Sequence, residues 1–187
     1  MTNATDIHPG YTTGTWTLDL SHSELSFTVK HLMITKVRGI FEKFDVTIVT
    51  AEEPKDSTIV ATVDVSSVNT GVEARDNHLR TSDFFLVEEH PTMTFTSTSI
   101  DGDLASGDFT VTGDLTLRGV TQPVVLKGEF GGLIQDPYGN TRAGASASTK
   151  INRHDFGVSW NSALEAGGVT LGDDVTINLD LEVVLQK

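Results

Sequence analysis

An antiparallel all-β domain is what this sequence predicts, and three observations predict it. Apolar and polar residues alternate with a period of two over most of the chain, as in strands with one buried face. The alternating segments are joined by short turns rich in Gly, Pro, Asp and Asn, such as Ala51–Ser57 and Pro137–Asn140. Several segments exceed about ten residues, which is long for a small sandwich and favours a barrel of about eight strands.

The elements follow in order. Residues 1–13, with Pro9-Gly10, read as a flexible N-terminal arm, and residues 14–187 as a single domain. Thr15–Leu20 places Trp16, Leu18 and Leu20 on one face, and Ser21–His31 does the same with Leu25, Phe27 and Val29. Lys36–Thr50 changes parity between Phe41 and Phe44, which predicts a β-bulge at Glu42-Lys43. Thr58–Val68 presents Ile59, Ala61, Val63 and Val65. After Pro91, Met93 and Phe95 alternate with threonines, up to a turn at Asp101–Asp103. Phe109, Val111, Gly113, Leu115 and Leu117 follow, then a turn at Arg118-Gly119 and a strand over Thr121–Gln135. Thr141–Ile151 carries the small row Ala143, Ala145, Ala147; Asn152–Trp160 is irregular; and Val175, Ile177, Leu179, Leu181 and Val183 form the last strand.

One stretch, Val68–Phe95, interrupts the alternation and contains a short helix over Thr70–Arg80. Thr70 and Glu73 have capping-box spacing. Asp76 precedes Arg80 by four residues, the spacing of a helical ion pair. Arg75, Asp76, His78, Arg80 and Asp83 make this the densest polar cluster in the chain.

Composition narrows the function classes. The net charge of −13 and pI of about 4.6 repel phosphates, so neither nucleic acid nor an anionic membrane is an expected partner. No cysteine is present, which removes disulfides, thiol catalysis and Cys-based metal sites. No apolar run approaches the roughly 18 residues of an integral membrane span. The first residues lack a Sec-type signal, so a cytoplasmic location is expected.

No catalytic constellation stands out. The histidines are scattered, with no HExxH, and neither GxSxG nor a phosphate-cradling loop occurs. Asp76 and His78 are two apart and do not face each other on a helix, so a structural role for the cluster is favoured over proton transfer. No metal or cofactor is expected. The inner faces combine small residues (Ala61, Gly113, Gly128, Ala143, Ala145, Ala147) with aromatics (Phe27, Phe41, Phe95, Phe109, Phe130). Two interiors remain open on this composition: a cavity, or a core in which the aromatics fill the gaps.

From Trp16 to Val184 the chain resembles the YceI-like family of bacterial lipid-binding proteins. The resemblance rests on Val37-Arg38-Gly39-Ile40-Phe41, Arg75-Asp76-Asn77-His78-Leu79, Asp83-Phe84-Phe85, His90–Phe95, Val111–Thr116 and Ile151-Asn152-Arg153 with Asp155-Phe156-Gly157. Leu86 departs from it, standing where relatives often carry an acidic residue. The resemblance implies an extended, lipocalin-like antiparallel barrel with one or two short helices and no catalytic centre. Its apolar tunnel would hold a long isoprenoid or related amphiphilic lipid, of polyprenyl or isoprenoid-quinone type. Many relatives are periplasmic, and a homodimer is an expectation of the resemblance alone. On this reading Phe27, Val29, Phe41, Val63, Phe84, Phe95, Phe109, Leu115, Phe130, Phe156 and Trp160 line the ligand. His31 or His78 meets a polar head near a mouth, and Thr70–Arg80 acts as a stopper and gate. The rivals are an enzyme acting on a lipid or quinone, with Asp76, His78 or His31 as proton carriers, and a structural or stress protein with a filled core.

Overall fold

The computed structural model describes residues 10–103, 106–165 and 167–187. The first nine residues of the expected N-terminal arm lie outside the described residues. The strands are β1 (Gly14–Leu18), β2 (Glu24–His31), β3 (Thr35–Phe41), β4 (Phe44–Thr50), β5 (Thr58–Asp64), β6 (Val68–Asn69), β7 (Thr92–Gly102), β8 (Asp108–Leu117), β9 (Val120–Gln135), β10 (Thr141–Asn152) and β11 (Leu171–Leu185), with the helix α1 (Glu73–Leu79) between β6 and β7.

These strands close into an antiparallel eight-stranded barrel. Its last strand, β11, pairs with β10 along one edge, and along the other with β2 and then β1, where Leu185 lies opposite Trp16. Three wall positions are each built from two short strands in line: β1 with β2, β4 with β3, β5 with β6. The upper end carries the β2–β3 hairpin, α1 and the Arg118-Gly119 turn. The lower end carries the β4–β5 and β9–β10 turns.

The breaks in those composite strands form one seam across three neighbours. At the first, Asp19 accepts hydrogen bonds from the Ser21 N–H and hydroxyl. At the third, Asp64 does the same for Ser66. Such a side chain competes with the ladder for backbone donors, and both segments tighten into 3-10 turns, Leu20–His22 and Val65–Ser67. Between them, at Glu42-Lys43, the expected bulge is instead a complete break. The N–H groups of Glu42 and Lys43 turn to Ser67 at 3.2 and 3.0 Å. Leu20, predicted to point inward, therefore leaves the strand and is exposed.

Glycines decide how the wall is lined. Phe27 lies opposite Gly39, Phe109 opposite Gly128, and Phe95 diagonally across from Gly113. In each case a Cβ on the glycine would overlap the phenylalanine ring, so the ring lies flat over the neighbouring backbone. The inner aromatics thus cover the wall without reaching across the lumen, which is how small residues and aromatics coexist with empty space.

On the outside, Arg142 straps the lower end together. Its guanidinium reaches Asp136 at 2.8 Å, Asp19 at 2.7 Å and Glu182 at 2.6 Å. Asp19 is held well below the usual carboxylate range by the Ser21 hydroxyl, Arg142 and His22. Asp136 is lowered first by Arg142 and then by the Asn140 N–H, and Arg142 is itself raised by its three acids. The oxygens of Asp19 and Glu182 and the His22 ring nitrogen lie within 4.8 Å of one another, but the arginine already supplies the positive charge there.

The helix is anchored differently from expectation. The capping box does not form: α1 starts at Glu73 after Val72, and the Thr70 N–H and hydroxyl both donate to buried Asp76, at 2.9 and 2.6 Å. Arg75 donates to the Thr70 hydroxyl and carbonyl. Nor do Asp76 and Arg80 pair. Arg80 instead bonds the Ser66 and Val68 carbonyls and the Asn77 side chain, pinning α1 to the seam.

Gly113→Ala and Gly128→Ala should each destabilise the barrel by roughly 1–3 kcal/mol, the cost of overpacking, read as a lower denaturation midpoint. Asp19 and Asp136 titrate below their ordinary value of 3.8 when folded, so their contribution is present above about pH 4 and drains away as pH falls through the folded values. Arg142→Met should therefore flatten the fall of Tm between about pH 5 and pH 2.

Candidate functional site

Among the described residues, three chambers lie in line in the barrel interior. The upper is about 250 Å³, the middle about 130 Å³ and the lower about 170 Å³. Neighbouring chambers share walls: Leu25, Met93 and Ile177 separate upper from middle, while Ile48, Ile59 and Phe109 are among those separating middle from lower. Together they follow the barrel axis from the α1 end to the β9–β10 end.

The predicted site residues divide among the chambers. Phe27, Val29, His31, Phe41, His78, Phe84 and Trp160 line the upper one. Val63, Phe95, Phe109 and Leu115 line the middle one. Phe109 and Phe130 line the lower one. Phe156 lines none of the three. It is 1% exposed and sits in the 3-10 turn Arg153–Phe156, where strand parity no longer predicts direction. That turn meets the stretch of β9 that β10 does not pair, with the Gln122 side-chain amide donating to the Asp155 carbonyl at 3.2 Å, and Phe156 belongs to the core.

Other lining residues come from segments that alternation cannot read. Leu79 and Phe85 enter from α1 and the loop after it, and Val158 and Thr170 from the β10–β11 connection. Adjacent Phe84 and Phe85 both face the chamber because the Thr81–His90 loop is a chain of turns, among them Phe85 N–H to the Leu79 carbonyl at 3.0 Å. The apolar pair in a polar neighbourhood was the available signal.

The mouth of the upper chamber is aromatic. The His78 ring meets Phe84 and Trp160 edge-on, with centroids 5.0 Å away in both cases, and Phe84 and Trp160 are 5.3 Å apart. Asp83 holds the His78 Nε2 at 2.8 Å, which fixes the ring's orientation. Deeper in, Phe27, Phe41 and Phe85 continue the aromatic lining, with successive centroids 5.6 and 5.9 Å apart.

Among the described residues, the charged ones lining this chamber are Arg75 and Arg153, with His31 and His78 as further polar groups, and no carboxylate lines it. Arg153 is buried and lowered by desolvation, against the opposing effect of Asp173. It donates to the carbonyls of Gly172, Val158 and Trp160 at 2.8–2.9 Å, so it clamps the β10–β11 connection over the chamber. The middle and lower chambers are almost wholly apolar. Asp76, the acid nearest the predicted cluster's centre, is occupied by Thr70 and does not face His78. The geometry provides apolar enclosure with a polar, net-basic upper rim.

A closed barrel with chambers strung along its axis and a helix over one end defines the class of extended, lipocalin-like antiparallel barrels. Within that class, the chain belongs to the YceI-like family: the YceI-like domain matches residues 16–183. A UPF0312 protein of Staphylococcus aureus strain MSSA476 is 41% identical over 175 residues, covering 92% of this chain and 98% of the relative. The YCEI protein of Campylobacter jejuni, solved as a crystal with large solvent channels, has a TM-score of 0.72 at 32% identity and covers 95% of this chain and 98% of its own. A polyisoprenoid binding domain from Saccharophagus degradans, implicated in plant cell wall breakdown, shares the fold with a TM-score of 0.69 at 21% identity, covering 91% of this chain and 98% of its own.

If the aromatic mouth retains a guest, Phe84→Ala should release bound lipid faster than Asp76→Asn does, measured as transfer of a fluorescent lipid to acceptor vesicles. The reverse order would contradict the gate.

Proposed function

We propose that this protein binds one long-chain isoprenoid or related amphiphilic lipid, of polyprenyl or isoprenoid-quinone type, and carries or sequesters it without transforming it. The observation that carries this reading is the row of three apolar chambers sharing walls along the barrel axis. A filled core would leave no such row, and a compact ligand would need only one chamber.

The dimensions suit a chain. The 16 residues of β9, at about 3.3 Å each and tilted by roughly 40°, give a wall on the order of 40 Å tall. That height accommodates several isoprene units end to end. Transferring an apolar tail into the tunnel is favourable by about 25 cal/mol per Å² of apolar surface buried. The phenylalanine rings lying flat on the walls offer contact along the whole path without a directional polar group, so recognition is by width and length more than by chemistry. The polar rim of the upper chamber suits a hydrogen-bond-accepting head group beside His31 and His78. The Saccharophagus degradans neighbour is described as a polyisoprenoid binding domain, which agrees with this reading.

Organic extraction of protein purified under native conditions, followed by mass spectrometry, should return an isoprenoid or other long-chain lipid at near one per chain. Absence of any lipid, together with failure of the protein to take up a fluorescent polyprenyl probe, would overturn the reading. His78→Ala should leave the bound lipid's identity and chemical state unchanged. Accumulation of a precursor lipid in that variant would instead favour an enzyme.

A further inference from the structure

The β2–β3 hairpin closes with the Ile34 N–H donating to the His31 carbonyl at 3.2 Å, which makes Leu32 and Met33 the two central turn residues. Both take left-handed backbone, with φ of 51° and 58°. That conformation suits Asn and Gly, and L side chains with long apolar branches disfavour it. The Arg118-Gly119 turn at the same end of the barrel does use glycine at its second position. The β2–β3 tip thus carries a conformational penalty and an exposure penalty together: Leu32 is 36% exposed, Met33 53% and Ile34 81%. Three consecutive exposed apolar residues at a strained turn need a reason outside the folding of the domain.

The surroundings of the tip indicate the reason. Residues 25–41 contain Lys30, Lys36 and Arg38 and no acidic residue, in a chain with 26 Asp and Glu against 13 Lys and Arg. Lys30 and Lys36 are direct cross-strand partners, an arrangement that is repulsive unless an anion lies nearby. Neither they nor Arg38 make an ion pair among the described residues. The nearest acids along β11 are already engaged, Asp173 with His154 at 2.9 Å and Asp174 with Lys150 at 3.4 Å. The base of the hairpin is continuous with the upper chamber: His31 lines it, and the Leu32 N–H donates at 2.8 Å to the carbonyl of Thr170, which lines it too.

We propose that the β2–β3 hairpin is a membrane-contacting tip. Leu32, Met33 and Ile34 enter the boundary between head groups and acyl chains of a phospholipid bilayer, and Lys30 and Lys36 meet the lipid phosphates. An apolar wedge flanked by lysines whose stems snorkel is the chemistry of interfacial anchoring. The acidic remainder of the surface opposes deeper engagement, which keeps the contact peripheral and reversible and confines to the tip what net charge alone argues against. The contact brings the upper chamber to the bilayer surface. It rests on the lipid-carrier reading only for what passes between them.

Flotation with phosphatidylcholine vesicles containing about one-third phosphatidylglycerol tests the inference. The wild-type protein should float with the vesicles, and Met33→Ser with Ile34→Ser should reduce the bound fraction at least about tenfold. Ile134→Ser, at an exposed apolar site on the β9–β10 hairpin whose cross-strand neighbour Arg142 is already paired with Asp19, Asp136 and Glu182, should change nothing. Lys30→Gln with Lys36→Gln should remove the preference for anionic vesicles and its salt sensitivity. Leu32→Asn with Met33→Gly gives the turn its preferred residues, so it should raise Tm while abolishing flotation. A wild-type protein that ignores vesicles, or tip variants that float as well as wild type, would overturn the inference. So would a wild-type dimer that the tip variants convert to monomer without any vesicle binding, since the occupant would then be a second copy. Vesicle binding by a barrel that yields no lipid on extraction would uphold the tip and remove the carrier; a lipid-filled barrel that ignores vesicles would do the reverse.

Discussion

The structure depends on where its phenylalanine rings are allowed to lie. A ring on an inner barrel position either crosses the lumen and fills it or folds back against the wall. Folding back requires a neighbour with no side chain. Gly39, Gly113 and Gly128 meet that requirement at the cross-strand or diagonal position of Phe27, Phe95 and Phe109. The glycines weaken their own strands, and the rings compensate by covering the exposed backbone. The result is an interior that is hydrophobic at every level and still open, which an equally apolar barrel of leucines and valines would not be.

The seam gives the barrel its second property, a wall that changes course partway up. Because β1/β2, β4/β3 and β5/β6 all break at about the same height, the upper part of the wall is not a simple extension of the lower. The space thus created is occupied by α1 and the Thr81–His90 loop, and the largest chamber lies against them. Arg80 joins the two features, since its guanidinium takes the Ser66 and Val68 carbonyls that flank the third break. The helix is therefore held by backbone carbonyls of the seam, and its polar residues serve attachment before anything else.

Much of this was legible in the chain. Strand periodicity located the walls, and within them the parity of Phe27, Val29, Phe41, Val63, Phe95, Phe109 and Leu115 placed each in a chamber wall. What parity could not reach was anything outside a regular strand. Phe156 has the composition of a lining residue, but a 3-10 turn directs it into the core. Leu79, Phe85 and Val158 line the upper chamber from loops and a helix whose paths are fixed by contacts with distant residues. The capping box and the Asp76–Arg80 pair are correct as local spacings, yet stronger partners displaced both: the Thr70 N–H and hydroxyl for Asp76, and free carbonyls at the seam for Arg80. The two Asp-x-Ser segments, Asp19 to Ser21 and Asp64 to Ser66, were the visible signs of strand breaks, and alternation on either side of them concealed the interruption.

The pairing of β11 with β1 and β2 also sets an order in time. Leu185 lies opposite Trp16, so the wall closes through residues at nearly opposite ends of the sequence. During synthesis, β1 and β10 both wait with unpaired edges until the last strand leaves the ribosome, and contacts of such sequence separation are slow to form. Until then the interior is an open trough, not a tunnel. On the proposed reading, a long guest that would have to thread end-on into the finished barrel could be laid sideways into the unfinished one, and the final fifteen-residue strand would then set the moment of its enclosure.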